Sequence, residues 1–176
     1  TACSADLRDR ALRLGARADR SEVVPYGVDT VRFAPLAARA DRDAARSALS
    51  VAPDEELVFA VGRLVRKKGF EYLIDAVARL APSRPRLVAV VAGAVDLDAE
   101  LRARAASRGV GDRVRFPGLL PHDRTAAVMA AADVVAVPSV RDDAGNVDGL
   151  PNVVLEALAT ATPVVATPAG GIGAVL

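Results

Sequence analysis

From residue 57 onward, short apolar runs alternate with amphipathic stretches. Residues 57–61 form a continuous apolar run closed by Gly62, which predicts a buried strand. A basic loop follows. Phe70, Leu73, Ile74 and Val77 then recur at helical spacing, predicting a helix over 69–80 that Pro82 and Pro85 end. Residues 87–91 read as the next strand, ending at Gly93, and 98–108 as a helix stopped by Gly109. A shorter strand over 113–116 ends at Pro117 and Gly118. Asp123 is placed to cap a helix running to Ala132. Residues 134–137 and 163–167 complete the strands, with a helix beginning near Leu150 between them. Alternation of this kind predicts right-handed parallel crossovers, hence an α/β fold: a Rossmann-like, doubly wound parallel sheet with helices on both faces.

The first fifty residues break this rhythm. Residues 6–14 read as an Arg-rich amphipathic helix, 22–25 as a strand entering a turn at Tyr26 and Gly27, and 41–49 as another helix. A hinge or domain edge is expected over 21–35. Residues 36–176 then form the main domain, expected to be truncated at its end, and residues 1–20 the end of a preceding one.

Composition narrows the class. The chain is 52% hydrophobic but only 3% aromatic, an Ala-, Val- and Leu-rich balance suited to buried parallel strands. With 23 basic against 22 acidic residues it carries a net charge of +1, which argues against a nucleic-acid binder. A lone Cys3 has no internal disulfide partner and points to a reducing, cytoplasmic setting. No apolar run reaches the length of a membrane span. Contact of a full-length protein with a membrane surface is not evident from these residues.

The chemistry concentrates at the carboxyl ends of the predicted strands, where such sheets bind ligands. Asp148 and Gly149 precede a helix start at Leu150, Pro151 and Asn152, and Glu156 follows eight residues after Asp148. A helix start offers unpaired N–H groups to an anion. If both acids were helical they would lie roughly 12 Å apart along the axis, too far to share a proton or a metal ion. They suit opposite ends of one elongated ligand, a phosphate joined to hydroxyl-rich groups. The plain alternative is a capped helix with one solvated Glu. Gly62, Arg63 and Lys68 lie in a strand-to-helix loop that could hold two phosphates, Arg as a fork and Lys as a point charge. The loop is neither a Walker A loop nor a Gly-x-Gly-x-x-Gly fingerprint. It reads equally as a solvated basic turn. The glycine-rich 168–173 stretch is either a close-approach loop or only a turn. His122, the single histidine, and the Asp142, Asp143 pair read as surface features, and no Cys/His cluster offers a zinc site.

In this order and spacing the residues resemble the carboxy-terminal, nucleotide-sugar-binding domain of GT-B fold glycosyltransferases, family 4 (glycosyl transferases group 1). The matching pieces are Val23 to Asp29 with Phe33, Ala34 and Pro35; Gly62, Arg63 and Leu64 through Lys68 and Gly69; Asp148 to Glu156; and Thr162 to Thr167 with Gly170 and Gly171. Asp148 stands where the family usually carries Glu, Ala161 where Gly is common, and Ala174 where a further Glu often occurs.

The resemblance implies one half of a GT-B fold and a hexosyltransferase-type enzyme. Sugar would pass with retention from a nucleotide-diphosphate donor to an acceptor held by an amino-terminal domain, and the fragment alone would be inactive. Arg63, Lys68, Asp148 and Glu156 would be the catalytic set, with Lys68 and Arg63 on the diphosphate, Glu156 on ribose hydroxyls and Asp148 toward the sugar. Gly62, Gly149, Leu150, Pro151 and Asn152 would line the donor, and Gly118 and Leu119 would border the base. No cofactor or metal is expected. A GT-B epimerase or hydrolase, and a non-catalytic nucleotide-binding module, are the competing readings.

Overall fold

The computed structural model describes residues 1–94 and 96–176. Five strands form one parallel sheet: β1 (Glu56–Val61), β2 (Leu87–Ala92), β3 (Val114–Arg115), β4 (Val134–Val137) and β5 (Val164–Ala166), in the order β3-β2-β1-β4-β5. The helices are α1 (Ala5–Arg13), α2 (Arg39–Ser47), α3 (Phe70–Leu80), α4 (Asp98–Ser107), α5 (His122–Ala131) and α6 (Asn152–Ala159). The expected doubly wound α/β fold is the one found.

Strand alternation builds two cores. Leu57 and Phe59 of β1, Val88 and Val90 of β2, and Val135 and Val137 of β4 face one side, against residues of α5 and α6. Ala60, Ala89, Val91 and Ala136 face the other, against Phe70, Leu73, Ile74 and Val77 of α3 and Leu101 and Ala105 of α4. Both faces of β2 are therefore buried, which is why residues 87–91 read as an unbroken apolar run rather than an alternating one.

The sheet order places a topological switch between β1 and β4, which pair at Val58 with Val134 and Phe59 with Val135. From β1 the chain turns to α3 on one face; from β4 it turns to α6 on the other. The carboxyl ends part there, and a crevice opens outside them.

Two early readings change. The residue 22–25 strand is reduced to a single parallel bridge between Val23 and Ala2. Asp123 does not cap α5. The cap position falls two residues earlier, at Pro121, so the helix begins at His122, and the Asp123 carboxylate accepts from Arg32 Nε at 2.8 Å instead. Arg32 lies in the 21–35 segment, so this bond ties that segment to α5.

Periodicity also hid a buried cation. Arg46 of α2 is 1% exposed; it donates to the carbonyls of Ala131 and Glu55 and lies 3.3 Å from an Asp133 oxygen. Asp133 also accepts from Leu57 N at 2.7 Å and Arg42 at 2.6 Å. This network ties α2 to the amino ends of β1 and β4. No helix among the described residues is long and apolar enough to cross a membrane.

Helices α4 and α6 end in the same way. Gly109 N donates to Ala106 O and Val110 N to Ala105 O; Ala161 N donates to Leu158 O and Thr162 N to Ala157 O. This crossed pair of bonds needs a left-handed residue after the cap. Gly109 takes φ 71° without strain, whereas Ala161 takes φ 55° with a Cβ. Ala161→Gly is expected to raise the unfolding free energy by about 0.5–1 kcal/mol in urea titration. Asp133→Ala, which leaves the Arg46 guanidinium buried without its carboxylate, is expected to lower it by about 2–3 kcal/mol with an unchanged m-value.

Candidate functional site

The crevice at the switch holds a cleft of about 520 Å³. Three segments build its working surface. The first is the turn of residues 62–69 after β1. Its end is fixed by Gly69, at φ 65°, where any Cβ would collide with the Pro138 carbonyl. The Lys67 carbonyl accepts from Val140 N at 2.9 Å, so the loops after β1 and β4 are clipped together.

The second is the start of α6. Leu150, Val153, Val154 and Ala157 are buried and anchor it. No side chain caps it; Pro151 occupies the cap position, so the first N–H groups of the helix have no side-chain acceptor. The third segment comes from residues 1–27. Cys3, Leu7 and Tyr26 line the cleft, and Leu7 and Cys3 press on Gly149 so closely that a Cβ there would overlap Leu7.

Ten of the eleven expected site residues line this one cleft: Gly62, Arg63, Lys68, Leu119, Asp148, Gly149, Leu150, Pro151, Asn152 and Glu156. Gly118 stands outside the lining, and its carbonyl accepts from Gly93 N at 2.9 Å, joining the ends of β2 and β3. His122, exposed at the start of α5 as a surface residue, also lines the cleft. Among the described residues no group of three or more His, Cys, Asp or Glu side chains gathers as a metal-holding set.

The two acids of the cleft sit in opposite environments. Asp148 is 14% exposed, with Lys67 Nζ 2.8 Å from one oxygen and Lys68 Nζ 2.6 Å from the other. Burial pushes its carboxyl up, but the hydrogen bonds from Lys67 and Lys68 outweigh that and hold it below the usual carboxylate range. Glu156, half-buried on α6, has no hydrogen bond to its carboxylate among the described residues. Burial pushes it up, and only the charge of His122 opposes this. A half-buried, unpartnered carboxylate beside an uncapped helix start is costly in the empty protein, and is ready to accept hydrogen bonds from a ligand.

Sequence reasoning missed Lys67, because a run of Arg66, Lys67 and Lys68 gives no sign of which side chains turn inward. Arg66 turns away, to Glu100 at 2.6 Å. The contribution of Cys3 and Leu7 had no local signal at all, since it depends on a contact across more than 140 residues.

A doubly wound sheet with an anion-ready helix start and cations at its switch point has the architecture of a Rossmann-like α/β domain with its crevice outside the strand ends. The chain belongs to the family glycosyl transferases group 1, whose model matches residues 41–176. It is 38% identical over 165 residues to the D-inositol 3-phosphate glycosyltransferase of Nocardia farcinica, covering 90% of this chain and 34% of that protein. It is 35% identical over 164 residues to the 2-deoxystreptamine glucosyltransferase of Streptomyces kanamyceticus, covering 92% and 40%. Among solved structures, Anabaena HepE in complex with UDP-glucose superposes with a TM-score of 0.86 at 28% identity, over 99% of this chain and 46% of that one. The chain thus spans less than half the length of each of these proteins.

The two acids predict opposite pH behaviour of the ligand-free protein. The folded state binds the Glu156 proton more tightly than the unfolded chain does. Ionised Glu156 therefore costs stability above its raised pKa and nothing below the ordinary value of about 4.3. Glu156→Gln is expected to melt higher than the parent at pH 7, with the gap closing as pH falls through the raised folded value and gone below about 4.3. Asp148→Asn is expected to melt lower at pH 7. That difference is lost as pH falls from the ordinary value of about 3.9 through the lowered folded one.

Proposed function

We propose that this chain supplies the donor half of a retaining hexosyltransferase and binds a nucleotide-diphosphate sugar in the cleft at the β1–β4 switch. The acceptor is held by an amino-terminal domain outside residues 36–176. The observation that carries the reading is the meeting, in one cleft, of Arg63, Lys68, the uncapped start of α6 and the unpartnered carboxylate of Glu156. HepE, which shares this fold at 28% identity, has been crystallised with UDP-glucose, which supports a nucleotide-sugar ligand.

Each group has a task fitted to its chemistry. Lys68 and Arg63 meet the diphosphate and stabilise the negative charge that grows on it as the sugar departs. The N–H groups at Gly149 to Asn152 add donors directed at phosphate and sugar oxygens. Glu156 accepts from ribose hydroxyls, which replaces the water it loses on burial. Asp148 lies between the lysines and α6, on the side where the sugar extends from the phosphates. Leu119, 76% exposed, lies beside the base. Retention belongs to the resemblance, and NMR of the anomeric proton in the product checks it. An epimerase or hydrolase on the same scaffold would yield an altered or free sugar instead.

Binding tests the reading first. UDP, GDP and ADP are titrated calorimetrically into the chain, and one of the three is expected to bind. Glu156→Ala is expected to weaken that nucleotide by about 1–3 kcal/mol, roughly five- to 150-fold. Unchanged affinity in this variant would move the ribose away from α6 and leave a nucleotide module of another kind.

A further inference from the structure

Lys67 and Lys68 are neighbours in one short 3₁₀ turn, yet both reach the same carboxylate, one at each oxygen. Their surroundings differ. Lys68 lines the main cleft. Lys67 is not among the cleft's lining residues; it lines a second hollow with Arg63, Val65, Asp142 and Asn146, and Arg63 borders both. Asp148 lines the main cleft, and both lysines reach its carboxylate. Both lysines are held, being 21% and 17% exposed. The backbone that carries them is clipped to the β4 loop through Lys67 O and the Gly69 contact with Pro138.

One ammonium would neutralise Asp148; two leave the cluster with a surplus positive charge facing the cleft. A half-buried carboxylate stripped of its only cation is strongly unfavourable. With a single lysine, a phosphate could recruit that lysine only by stranding Asp148. With two, Lys68 can turn to the phosphate while Asp148 stays paired and oriented.

We propose that Lys67 is a positioning residue for the donor site: it retains Asp148 when a nucleoside diphosphate draws Lys68 away. This rests on the reading above, in which Lys68 meets the donor phosphates. Lys67 touches neither the nucleotide nor the sugar. It acts through Asp148.

A double-mutant cycle tests it. The nucleotide that binds best among UDP, GDP and ADP is titrated into the parent chain, Lys67→Gln, Asp148→Asn, the double variant and Lys67→Arg. Lys67→Gln is expected to bind about tenfold more weakly, as for the loss of a charge-assisted hydrogen bond. Lys67→Arg is expected to restore parental affinity. In the Asp148→Asn background, Lys67→Gln is expected to change affinity less than about twofold, because no carboxylate remains to be held. Equal losses in both backgrounds would make Lys67 a distant attractor of phosphate and overturn the proposal, and so would an unweakened Lys67→Gln. Lys67→Met, which keeps the apolar stem, takes its place if the Gln variant melts below the assay temperature. Parental binding with unaffected Lys67 variants sinks this inference alone. No binding of any nucleotide by the parent chain sinks the donor-site reading and this inference with it.

Discussion

The pairing of β1 with β4 is the constraint from which the site follows. It spans only two residue pairs, Val58 with Val134 and Phe59 with Val135, yet it joins two crossover units wound to opposite faces. Because the chain leaves β1 toward α3 and β4 toward α6, neither loop can cover the other. The gap between them is filled by polar groups: the turn carrying Arg63, Lys67 and Lys68, and the loop carrying Asp148. The Gly69 contact with Pro138 and the Val140 to Lys67 hydrogen bond hold these loops together at their base. What remains open is the upper part of the gap, beside the start of α6.

Stability and binding pull apart in this arrangement. The apolar cores on the two faces are closed and ordinary. The cleft concentrates what a stable protein avoids: an uncapped helix start, an unpartnered half-buried carboxylate at Glu156, and two ammonium groups sharing one acid. Local rules of polar satisfaction fail where a ligand would satisfy them. Asp133 and Arg46 at the opposite end of the sheet show the contrast. There the buried cation has its acceptors from the chain itself, at Ala131, Glu55 and Asp133.

Most of the sheet was legible in the sequence because buried parallel strands leave unbroken apolar runs. The runs at 57–61, 87–91 and 134–137 match their strands to within one residue. The cleft lining was legible because the loops at the carboxyl ends of parallel strands must converge whatever their separation along the chain. Besides the Cys3 and Leu7 wall, three features were not. Asp123 has the chemistry of a cap, but Arg32, 91 residues away, takes its carboxylate. Arg46 reads as a surface residue of a polar helix, and nothing local shows that its guanidinium ends among backbone carbonyls. The inward turn of Lys67 depends on the path of a 3₁₀ turn, which residue identity does not set. Ala161 is a different case: its place in the family pattern drew notice to it, and the left-handed backbone shows why Gly is common there.

The press of Leu7 and Cys3 on Gly149 has a reach beyond packing. Residues 1–24 make a small unit of their own, with Ala2 bridged to Val23 and α1 between them. That unit forms one wall of the cleft, and Gly149 stands directly before the helix start that faces any bound anion. The position of the unit and the shape of the anion site are therefore two readings of a single contact. A force that tilts the first residues away from the sheet loosens the wall at Gly149. By reciprocity, an occupant that fixes Gly149 resists that tilt with the same free energy.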